Sequence, residues 1–237
     1  RAASGYWLEC SSGSVLLDVS GDVPHRMAQE DLDWAMLDAA WISHFHLDHL
    51  GGLAPFLFGT RAAPQTQQRR KSLRLFGPVG LKKIVESINV SNNYHLLQQP
   101  FPVEIIEVAS GGDFELLPGV KATTLSTPHT RESLALRLEG EGAVFVYTSD
   151  TGYSAELATF ARGADLLLTE CSFPEHKPVE THLELTDAMK LAATAEPKVL
   201  VLSHLYYLWD DRDLVAEARQ HWPGKTIAAF DGLRLNI

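Results

Sequence analysis

Short apolar runs rich in Val, Ile and Leu recur along the chain, bounded by Gly, Pro, Asp or Asn, and alternate with longer amphipathic stretches. Such runs predict strands at GYWLEC, SVLLDVS, AAWIS, RLFG, VEIIEV, VKATTLS, SLALRLEG, AVFVYTS, DLLLTE, KVLVLS, TIAAF and LRLNI. The first two, separated by Ser-Ser-Gly, read as an N-terminal hairpin. Helices are predicted over residues 26–38, 78–89, 153–162, 184–195 and 211–221. The last three follow the start signals Gly-Tyr-Ser, Thr-His-Leu and Trp-Asp-Asp. Residues 59–71, GTRAAPQTQQRRK, are polar and turn-rich and read as a surface loop. The alternation is that of an α/β fold, and residues 1–237 are read as a single domain.

Composition narrows the class of partner. Apolar residues at 45% and charged residues at 21% make an ordinary globular balance. Against 20 Lys and Arg stand 30 Asp and Glu, a formal charge of −10, so the average field repels phosphate backbones and nucleic acid is not the expected partner. No apolar run approaches the ~20 residues of a membrane helix, and RAASGYWLEC lacks a basic-then-apolar leader, so a cytoplasmic chain without membrane contact is expected. Cys10 and Cys171 are too few for a disulfide framework and read as two buried, reduced thiols without a catalytic role.

The candidate chemistry lies in Trp41-Ile-Ser-His-Phe-His-Leu-Asp-His-Leu-Gly-Gly-Leu53, directly after a predicted strand. His44 and His46, two apart, share a face in an extended segment, while Asp48 and His49 fall in the following turn. Four ligand-type side chains so placed are hard to explain by packing, and imidazole with carboxylate suits Zn²⁺, as well as Fe, Mn, Co or Ni. Three later strands end in one ligand-type residue each: His129, Asp150 and His204. Taken singly these are a turn residue, a helix cap and a core histidine; taken together they complete two metal sites. The expected division gives one ion to His44, His46 and His129 and the other to Asp48, His49 and His204, with Asp150 as bridge. His25, His95, His176 and His221 stand without companions and read as surface residues. Arg69, Arg70 and Lys71 read as a solvated loop face.

The HFHLDHLGGL segment, with His129, Asp150 and His204 in the later order, resembles the HxHxDH signature of the metallo-β-lactamase superfamily. Within it the chain is most similar to the ribonuclease Z-like branch, through LFGPVGL, YTSDTGY, LLLTECSF, THLELTDAMKLA and VLSHLYY. The resemblance implies a four-layer αββα sandwich with two divalent ions, Zn²⁺ first, at one edge. It also implies a hydrolase in which hydroxide formed at the metals attacks an ester, Asp48 orients or deprotonates the water, and His182 contacts the phosphate or leaving group. Members that mature transfer RNA carry a long arm between the third motif histidine and the bridging aspartate. Here only 20 residues lie there, and two predicted strands need them. A small phosphodiester is therefore the expected substrate, with RNA 3′-end processing and lactone or thioester hydrolysis as alternatives. Di-iron redox members replace the second motif histidine with glutamate, and His46 stands in that position. A silent metal-stabilised binding protein is the remaining class. A homodimer through the apolar surface near Tyr206, Tyr207 and Trp209 is also compatible with the resemblance.

Overall fold

The computed structural model describes residues 3–237. The chain forms two compact units: one runs to Ala109 and includes Leu116–Pro118, the other comprises Ser110–Glu115 and Gly119–Ile237.

The N-terminal unit contains β1 (Tyr6–Cys10), β2 (Gly13–Leu17), α1 (Val23–Gln29), β3 (Ala39–Trp41), α2 (Leu47–Leu50), α3 (Leu53–Ala62), β4 (Leu73–Pro78), α4 (Leu81–Ser91) and β5 (Val103–Val108). Its five strands lie side by side in chain order. The β1–β2 hairpin turns on Ser11 and Ser12, and from β2 to β5 every pairing is parallel. The Ala-Ala-Trp of β3 is buried throughout, as a central parallel strand requires. Leu16, Ala40, Leu73 and Leu75 meet Val23 and Met27 of α1, Phe56 and Leu57 of α3, and Leu81 and Val85 of α4 in one core. Burying each of the Leu, Val, Met and Phe side chains among them is worth about 1.5–3 kcal/mol.

The second unit adds most of β6 (Asp113–Leu117), then β7 (Val120–Ser126), β8 (Leu134–Gly140), β9 (Ala143–Tyr147), α5 (Ala155–Phe160), β10 (Leu166–Glu170), α6 (Leu185–Ala195), β11 (Val199–Ser203), α7 (Leu214–Arg219) and β12 (Thr226–Ala228). The seven strands run in the order β12-β11-β10-β9-β8-β7-β6. β7, β8 and β9 pair antiparallel; β9 to β12 are parallel. The β8–β9 turn is Glu141-Gly142, both at positive φ (53° and 82°), the backbone of a two-residue hairpin turn that follows strand twist. These two strands fill most of the stretch between His129 and Asp150. Small residues of α6, Ala188, Ala192 and Ala195, let the helix lie close on Val146, Leu167, Leu200 and Leu202.

Several expected elements differ. The helix predicted over 26–38 ends at Gln29; Asp31 takes a positive φ of 54°, and only a 3-10 turn, Trp34–Met36, follows. The region 53–62 is a helix: Pro55 stands in its first turn, where an amide hydrogen has no intrahelical partner to lose. The expected loop at 59–71 therefore begins inside α3. Within it Arg69 is no surface residue. It is 4% exposed, donates to the carbonyls of Ala35, Leu37, Lys71 and Ser72, and lies over Phe101 at 4.4 Å. Burial lowers its pKa, opposed by the charges of Asp38 and Asp33. β6 was not expected, and LRLNI forms no strand. Both cysteines are free thiols; burial, then the charge of Glu170, pushes the Cys171 thiol up, which suits an inert core residue. No helix among the described residues is long and apolar enough to cross a membrane.

Candidate metal centre

Each unit gathers its ligand-type side chains at strand ends around one buried carboxylate. In the N-terminal unit that carboxylate is Asp18, just past β2, fully buried and at φ 57°. A non-glycine residue in the left-handed region is held there by its surroundings, here by Asp18 N–H donating to Trp41 O at 2.7 Å. Its Oδ1 accepts from Ser43 N at 2.7 Å; its Oδ2 accepts from Ser43 Oγ at 2.8 Å and from His49 Nδ1 at 2.7 Å.

These bonds determine where the imidazole protons sit. A carboxylate only accepts, so His49 carries its proton on Nδ1 and presents the Nε2 lone pair. Ser43 spends its one proton on Asp18 and therefore accepts from His44 Nδ1, 3.0 Å away, so His44 also presents Nε2. His46, extended at φ −66° and ψ 148°, caps α2 and sets its ring edge-on to His44 at 4.8 Å. The one-turn helix α2 then places Asp48 Oδ2 3.9 Å from His49 Nε2. Val19 O accepts from Gly52 N at 2.7 Å, and any Cβ at Gly52 would collide with Ser20 O; the Gly51-Gly52 pair thus lets the ligand turn lie against the strand end that carries Asp18.

The second unit repeats the device with Glu170 at the end of β10. This carboxylate, 2% exposed, accepts from Thr151 N at 2.6 Å, Leu183 N at 3.1 Å, Ser172 Oγ at 2.5 Å and His182 Nδ1 at 3.0 Å. Four donors satisfy a charge that burial alone would make costly. Ser172, its proton given to Glu170, accepts from His204 Nδ1 at 2.9 Å, and His129 Nδ1 donates to Thr181 O at 2.9 Å. Both histidines therefore present Nε2, and both Nε2 atoms face Asp150, at 3.4 Å from His204 and 3.8 Å from His129. His204 sits at φ 51° and Ser149, preceding Asp150, at φ 58°. Thr127 Oγ1 donates to Asp150 O and Gly152 N to Pro128 O, tying the two ligand loops together.

The His182 side chain is 12% exposed, stacked on His204 at 5.5 Å and edge-on to His129 at 4.8 Å. Its ligand atom, with those of His129 and Asp150, falls within a 4.8 Å cluster. His25, His176 and His221 are exposed and His95 half-buried, and none of them joins a cluster of possible metal ligands among the described residues. Asp18 and Glu170 were missed in the sequence. Their only signal is an acidic residue at the end of an apolar run, in SVLLDVS and LLLTECSF.

Donor chemistry fits a divalent metal. Four imidazoles are turned so that Nδ1 holds an oxygen partner and Nε2 is the ligand atom, the arrangement in which outer partners fix metal-binding histidines.

Known proteins agree with this chemistry. The sequence profile described as Beta-lactamase superfamily domain matches residues 14–205. The chain is 24% identical to a ribonuclease Z of Borrelia duttonii, over 99% of this chain and 91% of that one. It is also 24% identical to the "Probable metallo-hydrolase YhfI" of Bacillus subtilis, over 98% and 91%. The crystal structure of YhfI superposes with a TM-score of 0.81, covering 98% of this chain and 91% of that chain. A diphosphatase from the PhnP family, 19% identical, superposes at 0.75 over 100% and 85%. The chain therefore belongs to the metallo-β-lactamase superfamily, in its ribonuclease Z-like branch, and has the α/β sandwich fold of that family.

Proposed function

We propose that this metallo-hydrolase uses a dinuclear centre, Zn²⁺ in the first instance, to hydrolyse a small phosphodiester. His44, His46 and His129 would hold one ion and Asp48, His49 and His204 the other, with Asp150 shared between them. When bound, two such ions supply an activated water and polarise the oxygen it attacks. The protein's own groups do the rest. Asp48 also takes the proton of the attacking water, and His182, held on Nδ1 by Glu170, uses Nε2 to donate a proton to the departing oxygen.

The observation that carries this reading is the Glu170–His182 pair, 3.0 Å apart and beside His129 and Asp150. An alkoxide leaving phosphorus is a strong base and gains most from a positioned acid. The PhnP-family diphosphatase and the ribonucleases Z among its relatives act at phosphorus by name, which supports the same class. Transfer RNA fits less well, since β8 and β9 occupy the stretch between His129 and Asp150 and the chain carries a net charge of −10.

The test sets a chromogenic bis-aryl phosphodiester beside precursor transfer RNA, with metal content measured on the same preparation. The diester is expected to turn over and the RNA to stay intact; the opposite pattern would reverse the assignment. Asp150→Ala should lose at least one metal and most of the activity, whereas His95→Ala should change neither. Equal effects of the two substitutions would mean that the ligand set is wrong.

A further inference from the structure

Between β10 and α6 the chain makes an exposed strap, and this strap delivers two groups to the metal-ligand cluster: the side chain of His182 and the carbonyl of Thr181, which accepts from His129 Nδ1. Of residues 175–182 all are exposed except Lys177 and His182. The ends of the strap are tied to each other, Phe173 N donating to Leu183 O at 3.2 Å and Leu185 N to Phe173 O at 3.0 Å. Its middle is tied by Lys177. The Lys177 ammonium, 13% exposed, donates to Asp187 of α6 at 2.8 Å and lies 3.2 Å from Glu180, while Lys177 N donates to Glu184 at 3.3 Å. Burial works to lower the Lys177 pKa, and the bonds to Asp187 and Glu180 outweigh it, so the group stays charged throughout the ordinary pH range. On the other side the strap backbone presses on Gly152, where any Cβ would overlap Glu180 O. A second latch, Arg212 to Glu175 at 2.8 Å, is more exposed and correspondingly weaker.

We infer that Lys177 is a positioning residue: by clamping the strap to the first turn of α6 it holds His182 at Glu170 and the Thr181 carbonyl at His129. The inference rests on the proposed role of His182, and it reaches the metal only through the orientation of His129. Without the clamp the strap is held by its ends, by the bonds of His182 and Leu183 to Glu170, and by Arg212. His182 then spends part of its time out of line with the departing oxygen, and such misplacement lowers turnover more than substrate binding.

The metal-loaded full chain is compared as wild type, Lys177→Met, Lys177→Arg and His182→Ala. Amide exchange over 175–183, metal content and rates on two phosphodiesters, one with a poor alkoxide and one with an activated phenolate leaving group, are measured for each. Lys177→Met should raise exchange across 175–183 by about 10-fold or more. It should lower kcat on the poor leaving group by roughly 10- to 100-fold with KM little changed, and lose less on the activated one. Lys177→Arg should restore most of both effects. If His182→Ala shows no leaving-group-dependent loss, the role of His182 fails, and exchange alone then judges the clamp. If His182→Ala shows that loss while Lys177→Met keeps wild-type rates, the positioning role is overturned, and unchanged exchange in Lys177→Met overturns the clamp itself.

Discussion

Two buried carboxylates each direct two histidines, one by direct contact and one through a serine: Asp18 holds His49 and, through Ser43, His44, while Glu170 holds His182 and, through Ser172, His204. The serine hydroxyl has one proton, so passing it to the carboxylate forces the neighbouring imidazole to donate, and the tautomer follows from counting protons. Asp18→Ala should therefore act beyond its own position. It leaves the buried Ser43 N–H and His49 Nδ1 without their acceptor, at about 1–3 kcal/mol for each unsatisfied group. It also frees the His49 ring to turn, which should weaken metal affinity by about 10–100-fold. Thermal unfolding with and without metal, together with metal titration, checks both; wild-type affinity in a folded Asp18→Ala would remove Asp18 from the account. The histidines were legible because they crowd into one short segment or end apolar runs. Their carboxylates were not, since Asp18 is 25 positions from Ser43 and 31 from His49 and only the folded sheet joins them.

The strap between β10 and α6 is also where protonation acts on structure. The Thr186 hydroxyl, then the Lys177 amide and the charges of Lys177 and His176, hold Glu184 below its ordinary 4.5 against a smaller cost of burial. Because the folded value is the lower one, the stabilisation is complete above about 4.5 and disappears as pH falls through the folded value. On acidification below about pH 4.5 the strap amides should lose protection, corrected for intrinsic exchange, before those in the middle of α6. Glu184→Gln should flatten that dependence; an equally steep loss in the variant would place the titrating group elsewhere. Helix α6 itself was readable from its periodicity and α5 from its cap, Ser154 accepting from Leu157 N, whereas α7 starts later than its Trp-Asp-Asp signal, capped by Asp213, which accepts from Ala216 N. The helix α3 was hidden by Pro55 and Gly59, which read as breakers although the proline stands where helices tolerate it. Arg69 was hidden too: a basic run looks solvated until four backbone carbonyls are seen to surround one of its members.

Across the whole chain, the order of ligand motifs placed the fold in its family, while the division into two compact units is marked in the sequence only by short turn signals. Ser110-Gly111-Gly112 stands at the first crossing between the units and Pro118-Gly119 at the last, yet neither is longer than an ordinary turn. The proposed ligands are distributed over the same division: His44, His46, Asp48 and His49 belong to the first unit, His129, Asp150 and His204 to the second. Our proposal that they serve one dinuclear centre, in a chain acting as one domain, then makes a demand that two independent metal sites would not. Metal should protect the amides of 43–50 only when the second unit supplies its ligands, since binding that depends on both units stabilises both. Asp150→Ala should therefore weaken metal-induced protection at 43–50, although Asp150 lies about a hundred positions away in sequence. Amide exchange on wild type and variant, each with and without Zn²⁺, reads this directly. If Zn²⁺ still protects 43–50 to the wild-type extent in Asp150→Ala, the first unit binds its ion alone, and the bridging role of Asp150 and the single centre fall together.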